Sequence, residues 1–169
     1  MFETNFSLWA DVLEGFKQYC FRNREFKIMA KNNNLYLYTD GGSRGNPGAA
    51  AIGIVICDSK KNVLYEYAEC IGHRTSNQAE YIALINGLDK CAQYTQGNVT
   101  CYSDSELMIK QMNGKYRIKN EQLKELSDEA KKNMEAFKKV RFRHVRRTNE
   151  FIQRADELLN DALDDNSED

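Results

Sequence analysis

Apolar residues recur along this chain with two periods, and the switches between the periods mark out its elements. In residues 7–22 (SLWADVLEGFKQYCFR), Leu8, Val12, Phe16 and Tyr19 fall at helical spacing with Trp9 and Leu13 beside them. That spacing predicts a short amphipathic helix, followed by a polar linker at Lys31–Asn34. From Leu35 the pattern becomes strand-like. Leu35–Asp40 (LYLYTD) reads as a strand that runs into Gly41, Gly42, Gly45, Asn46, Pro47 and Gly48, a cluster of turn formers. Ala49–Cys57 and Val63–Ile71 read as two further strands, and their short connections suit an antiparallel meander. Thr75–Gln78 has the form of a capping box, and Ile82, Ile85, Leu88 and Ala92 make one helical stripe behind it. Val99–Ser103 reads as a fourth strand, with a helix through Met112. A second helix is predicted over Glu121–Phe137 from Leu123, Leu126, Ala130, Met134 and Phe137. Val140–Val145 is a fifth strand, and Asn149 caps a last helix that turns Phe151, Ile152, Ala155, Leu158, Leu159, Ala162 and Leu163 inward.

The order βββαβααβα predicts an α/β architecture, a five-stranded mixed sheet flanked by helices, with an extra N-terminal helix. We expect a helix and linker over residues 1–34, one domain over 35–163, and an acidic tail over 164–169. The length of 169 residues suits one core rather than two, and 41% hydrophobic with 29% charged residues suits a globular protein. No apolar run reaches the roughly 18 residues of a membrane span. Glu3, Asp11 and Glu14 break any signal-like start. Cys20, Cys57, Cys70, Cys91 and Cys101 are odd in number and widely spaced, which fits neither a disulfide framework nor a zinc site. They read as small apolar side chains in a reducing compartment, and the expected location is cytoplasmic.

A net charge of −1 hides two opposite fields. The chain ends with Asp156, Glu157, Asp161, Asp164, Asp165, Glu168 and Asp169 and no Lys or Arg among them, whereas Lys138, Lys139, Arg141, Arg143, Arg146 and Arg147 crowd together just upstream. Lys110, Lys115, Arg117 and Lys119 form a second basic run. Such runs permit a polyanionic partner without requiring one.

Four carboxylates fall at telling places on this map. Asp40 and Asp104 end the first and fourth strands, and ligands of mixed sheets with helices gather at strand ends where the chain order reverses. Glu80 lies near the start of its helix. On a helical wheel Asp156 lies about 40° from Ile152 and about 20° from Leu163, at the edge of the apolar stripe. Each acid also has a plain structural use, in a turn, at a helix dipole or on a solvated face. The combination is what suggests a site.

The segments Tyr38–Gly48 (YTDGGSRGNPG), Thr75–Tyr81 (TSNQAEY), Tyr102–Tyr116 (YSDSELMIKQMNGKY) and Asn149–Leu158 (NEFIQRADEL) together resemble the ribonuclease H type 1 family. The resemblance covers Leu35 to Leu163 and implies the ribonuclease H-like fold. It implies a D-E-D-D cluster of catalytic, metal-holding acids at Asp40, Glu80, Asp104 and Asp156. Asp161, Asp164 and Asp165 compete for the fourth place, but Asp156 alone follows the family's N-x-x-x-x-x-A-D pattern. Hard oxygen ligands suit two Mg²⁺ ions per site, with Mn²⁺ as a substitute. Two such ions about 3.5–4 Å apart can clamp both oxygens of an in-line displacement at phosphorus. By resemblance, Asp40 bridges both ions, Asp156 helps hold the ion that activates water, and Glu80 and Asp104 hold the ion on the leaving-group side.

The implied reaction is endonucleolytic hydrolysis of the RNA strand of an RNA–DNA hybrid, leaving 5′-phosphate and 3′-hydroxyl ends. The implied RNA contacts are Gly41, Gly42, Ser43, Asn46, Asn77 and Gln78, with Thr75 and Ser105 placed to hold a DNA phosphate. Thr75 and Ser105 serve equally well as helix caps, and Asn46 as a turn former.

The sequence departs from the family in three places. Glu106 stands where some members carry an amide. The loop Val145–Thr148 (VRRT) lacks the histidine that many members carry there, leaving Arg146 or Arg147 as its replacement, while His144 falls earlier, in the strand. The long basic, Trp-rich protrusion is also missing. The alternatives are a non-catalytic hybrid-binding module and a DNA-directed nuclease of the same fold. The N-terminal helix has three possible uses: packing on the sheet, contacting a partner, or pairing with a second copy.

Overall fold

The computed structural model describes residues 34–166, so the helix expected over residues 7–22 lies outside the described residues. Five strands form one sheet in the order β3-β2-β1-β4-β5. They are β1 (Asn34–Gly45), β2 (Gly48–Cys57), β3 (Val63–Arg74), β4 (Asn98–Ser103) and β5 (Lys139–His144). The helices are α1 (Ser76–Ala92), α2 (Glu106–Met112), α3 (Glu121–Met134) and α4 (Glu150–Asp165). The element order is the predicted one. β1–β2 and β2–β3 pair antiparallel, whereas β1–β4 and β4–β5 pair parallel. The β1/β4 boundary is therefore where chain order reverses, and it sets the C-terminal end of β4 beside the middle of β1, next to Asp40.

β1 is longer than its apolar pattern suggests. Gly41, Gly42 and Ser43 pair with Ile52, Ala51 and Ala50, so the glycines continue the strand and only the Asn46–Pro47 corner turns. Gly45 supplies the positive φ (93°) this corner needs. Helix α3 stops at Met134, earlier than Phe137. Phe137 follows in a tight turn and is still buried, so its apolar spacing reports core contact rather than helix length.

The sheet is covered on both faces. Leu35, Leu37, Ile52, Ile54, Ile56, Val99 and Phe142 meet Leu84 and Leu88 of α1 and Leu123 and Ala130 of α3 on one side. Tyr38, Val55 and Cys57 meet Ile152 and Ala155 of α4 on the other, and Ala51 meets Leu159 and Leu163. β2 lies beneath both layers, which explains its unbroken apolar run. Cys57, Cys91 and Cys101 are buried free thiols, as their apolar reading expects, and Cys70 is half-buried and free. Among the described residues, no helix is long and apolar enough to cross a membrane.

Candidate active site

Three elements deliver carboxylates to the β1/β4 switch point. Asp40 sits within β1 beside Gly41 and is 3% exposed. A side chain at Gly41 would place its Cβ 2.2 Å from the Ala79 carbonyl carbon and 2.3 Å from the Glu80 nitrogen. The bare glycine is thus what lets α1 press its backbone against β1 and set Glu80 next to Asp40. The helix is held there by its capping box, in which Thr75 Oγ1 accepts from Gln78 N and Gln78 Oε1 accepts from Thr75 N. Asp104 follows β4 directly, and its backbone oxygen lies 3.2 Å from His144 Nε2.

Asp40, Glu80 and Asp104 each bring a carboxylate oxygen within 4.8 Å of the other two. Ser103 Oγ donates to Glu80 Oε2 at 3.3 Å and accepts from Ser105 N at 3.0 Å. Asp40 Oδ2 is buried and has no hydrogen-bond partner among the described residues. Burial, reinforced by the charges of Asp104 and Asp156, pushes the Asp40 carboxyl up to about 7. Burial, then the charges of Asp40 and Asp104, lifts Glu80 well above the ordinary carboxylate range. A trio of hard oxygen donors with one orphaned buried oxygen fits a divalent cation, which would satisfy that oxygen and relieve the crowding of like charge.

Asp156 stands on α4 beside this trio. Its Oδ1 accepts from Arg147 Nη2 at 2.8 Å, while Arg147 Nε lies 3.7 Å from Asp104 Oδ2. Asn149 starts α4 by accepting from Phe151 N and Ile152 N, and this fixes where the Asp156 turn falls. All four acids line one cleft of about 390 Å³, with Gly41, Gly42, Ser43, Asn77 and Ser105 among the other walls.

The remaining expected contacts are placed elsewhere. Thr75 and Gln78 border a second cleft with Pro47 and His73. Asn46 Oδ1 accepts from Ser76 N, tying the hairpin corner to the start of α1. Arg146 is exposed and does not line the acidic cleft; Arg147 does. The chain turns just after β5, with Asn149 N donating to the Arg146 carbonyl, and this brings the second arginine inward. Strand alternation no longer applies in that turn, so the sequence offered no means of choosing between the two. Glu106 pairs with Lys110 at 2.7 Å. Arg44 and Asn160 also line the cleft and were not anticipated. Asn160 lies one turn beyond Asp156 and donates to its carbonyl oxygen at 2.8 Å, a spacing that could have flagged it.

Comparison with known proteins agrees with this geometry. The model of the family described as reverse transcriptase-like matches residues 38–162. Ribonuclease HI of Halobacterium salinarum is 38% identical over 136 residues, which are 80% of this chain and 67% of that protein. A bifunctional protein of Mycobacterium tuberculosis is 37% identical over 131 residues, 77% of this chain but 35% of its own length. The crystal structure of RNase H1 from Halobacterium salinarum superposes with a TM-score of 0.75 at 36% identity, covering 78% of this chain and 98% of that one. An RNase H1 isolated from compost, solved in complex with an RNA/DNA hybrid, superposes with a TM-score of 0.73 at 42% identity, covering 78% and 97%. The chain belongs to the ribonuclease H type 1 family of enzymes, within the wider reverse transcriptase-like group.

Proposed function

We propose that this protein cleaves the RNA strand of RNA–DNA hybrids internally, with Asp40, Glu80, Asp104 and Asp156 as the catalytic and metal-holding residues. The observation that carries this reading is the convergence of Asp40, Glu80 and Asp104 within 4.8 Å, with one buried Asp40 oxygen left unpartnered. The hybrid-bound relative supports the choice of substrate. The four acids would hold two Mg²⁺ ions, or Mn²⁺ in their place, which when bound supply Lewis-acid polarisation and a water activated near neutral pH.

The chain's own residues position the substrate. Ser43, Asn77 and Ser105 are neutral groups on the cleft wall, suited to a 2′-hydroxyl or a phosphate oxygen. Gly42 adds no side chain to the wall, so that a sugar–phosphate backbone can approach closely there, while the space beside Gly41 is taken by α1. Arg147, 69% exposed on its side chain, can leave its two carboxylates and follow the phosphate. Water attacks phosphorus, the P–O3′ bond breaks, and the products carry a 5′-phosphate and a 3′-hydroxyl. The protein works in a reducing, intracellular setting, which accords with its buried free thiols.

The test is cleavage of an end-labelled RNA–DNA hybrid in Mg²⁺ and, separately, in Mn²⁺. Single-stranded RNA, duplex RNA and duplex DNA run alongside, with Asp104→Asn as the control. Cutting of the hybrid's RNA strand alone, lost in the variant, is the expected result. A hybrid that binds without being cut in either metal would overturn the enzymatic reading, and cutting of the DNA strand would overturn the substrate.

A further inference from the structure

The outer strand β5 carries a row of cations that the cleft does not use. Phe142 is buried on the α1/α3 side, so strand alternation puts Lys139, Arg141 and Arg143 on the opposite face, and all three are exposed. None of the three makes an ion pair among the described residues. Their register partners on β4 are Asn98, Thr100 and Tyr102, and the next positions across on β1 are Asn34, Tyr36 and Tyr38. Directly beside the row the two neighbouring strands therefore bring no carboxylate, and the acid of β1 on this face, Asp40, lies two residues beyond Tyr38. Helix α4 packs over β1, β2 and β3, leaving the β5 side of the face clear of it.

Three cations repeat every second residue, roughly 6.6 Å apart, along the strand with two half-buried tyrosines beside them. Tyr102 is already stacked on Tyr38 at 4.8 Å, which holds its ring rigidly in place. The strand leads towards the cleft, because β5 ends at His144, opposite Ser103 and 3.2 Å from the backbone oxygen of Asp104, which lines the cleft. Unpaired cations in line with preset aromatic rings match the repeating phosphates and bases of an extended nucleic-acid strand. A duplex presents its bases only at groove edges and would leave the tyrosines idle.

We infer that Lys139, Arg141 and Arg143, with Tyr36 and Tyr102, form an accessory site for single-stranded nucleic acid that continues beyond the paired substrate. The placement of the paired part rests on the hybrid-cleaving reading above.

The experiment measures binding on an Asp104→Asn background in Mg²⁺, so it reads out whether or not hydrolysis is found. Fluorescence anisotropy would compare a blunt hybrid with the same hybrid carrying a single-stranded extension at either end. The protein is tested unchanged, as Lys139→Gln/Arg141→Gln/Arg143→Gln, and as the charge-keeping Lys139→Arg/Arg141→Lys/Arg143→Lys. The unchanged protein is expected to bind one extended hybrid several-fold tighter than the blunt one. The glutamine variant should lose that advantage and keep its blunt-hybrid affinity, and the charge-keeping variant should retain most of it. The slope of log K against log salt for the extended hybrid should become shallower by about 2, at about 0.7 per phosphate contact. Equal weakening on both substrates would make the row a duplex contact, and no change on either would make it a solvated face. Both results overturn the inference. Loss of the advantage with a lowered melting temperature, in the charge-keeping variant as well, would assign the effect to structure and overturn it too.

Discussion

Arg147 Nη2 lies 2.8 Å from Asp156 Oδ1, so a guanidinium closes the open side of the carboxylate cluster. With Nε 3.7 Å from Asp104, the same side chain spans two acids that come from different elements. An exposed pair of this kind contributes about 0–1 kcal/mol to stability. Its larger effect is on occupancy, since it supplies positive charge where a cation would sit. Arg147→Ala should bind Mn²⁺ more tightly by calorimetry and melt slightly lower in EDTA, and Arg147→Lys should fall between. An unchanged Mn²⁺ affinity would show that the arginine does not compete for the acids.

The metal-free protein should lose stability as pH rises through the neutral range. Asp40 ionises near its ordinary value of 3.8 when unfolded but is pushed up to about 7 when folded. Between those values the folded state holds the extra proton, and stability declines as pH climbs until the folded group has also ionised. Glu80 shifts in the same direction. Melting in EDTA should therefore fall from pH 5 to pH 7.5, Mg²⁺ should flatten the trend, and Asp40→Asn should reduce it. A melting temperature that rises over that window in EDTA would contradict this account.

Gly41→Ala tests how closely the strand and helix must approach. Its Cβ would meet helix backbone rather than a side chain that can swing away. Overpacking of this kind typically costs about 1–3 kcal/mol. The substitution should lower the denaturation midpoint and, by moving Glu80, reduce hybrid cleavage further than the loss of folded protein explains. Wild-type activity per folded molecule would show that Glu80 tolerates the shift.

Thr75 and Gln78 act as a reciprocal helix cap. Thr75→Ala should cost about 0.5–2 kcal/mol in urea denaturation, with Thr75→Ser largely restoring it. If Thr75→Ala leaves stability unchanged but weakens hybrid binding, the threonine is a phosphate contact instead.

Most of the fold was legible because its signals are local. Alternation in LYLYTD, the Thr75–Gln78 box, the Asn149 cap and the stripe from Ile152 to Leu163 each follow from contacts within a few residues. The misplaced ends have one cause, including that of β3, which continues past Ile71 to Arg74 alongside β2. Gly41–Ser43 extend β1 because β2 lies alongside to pair with them, and Phe137 keeps helical spacing after α3 has ended because the core reaches it there.

By itself the sequence determined the identity and order of the elements, and it set Asp104 at a strand end and Glu80 and Asp156 on helices, whereas Asp40, expected at the end of the first strand, lies inside β1 because β2 pairs with the glycines that follow it. Hydrogen bonding and side-chain periodicity act along the chain, so they leave their mark in composition and spacing. Only the tertiary structure decided that three carboxylates meet within 4.8 Å, that Arg147 rather than Arg146 lines their cleft, and that Lys139, Arg141 and Arg143 share a face with Tyr36 and Tyr102. These relations join residues far apart in the chain. They arise from sheet order and from the close approach that Gly41 permits, and no local pattern encodes such distances.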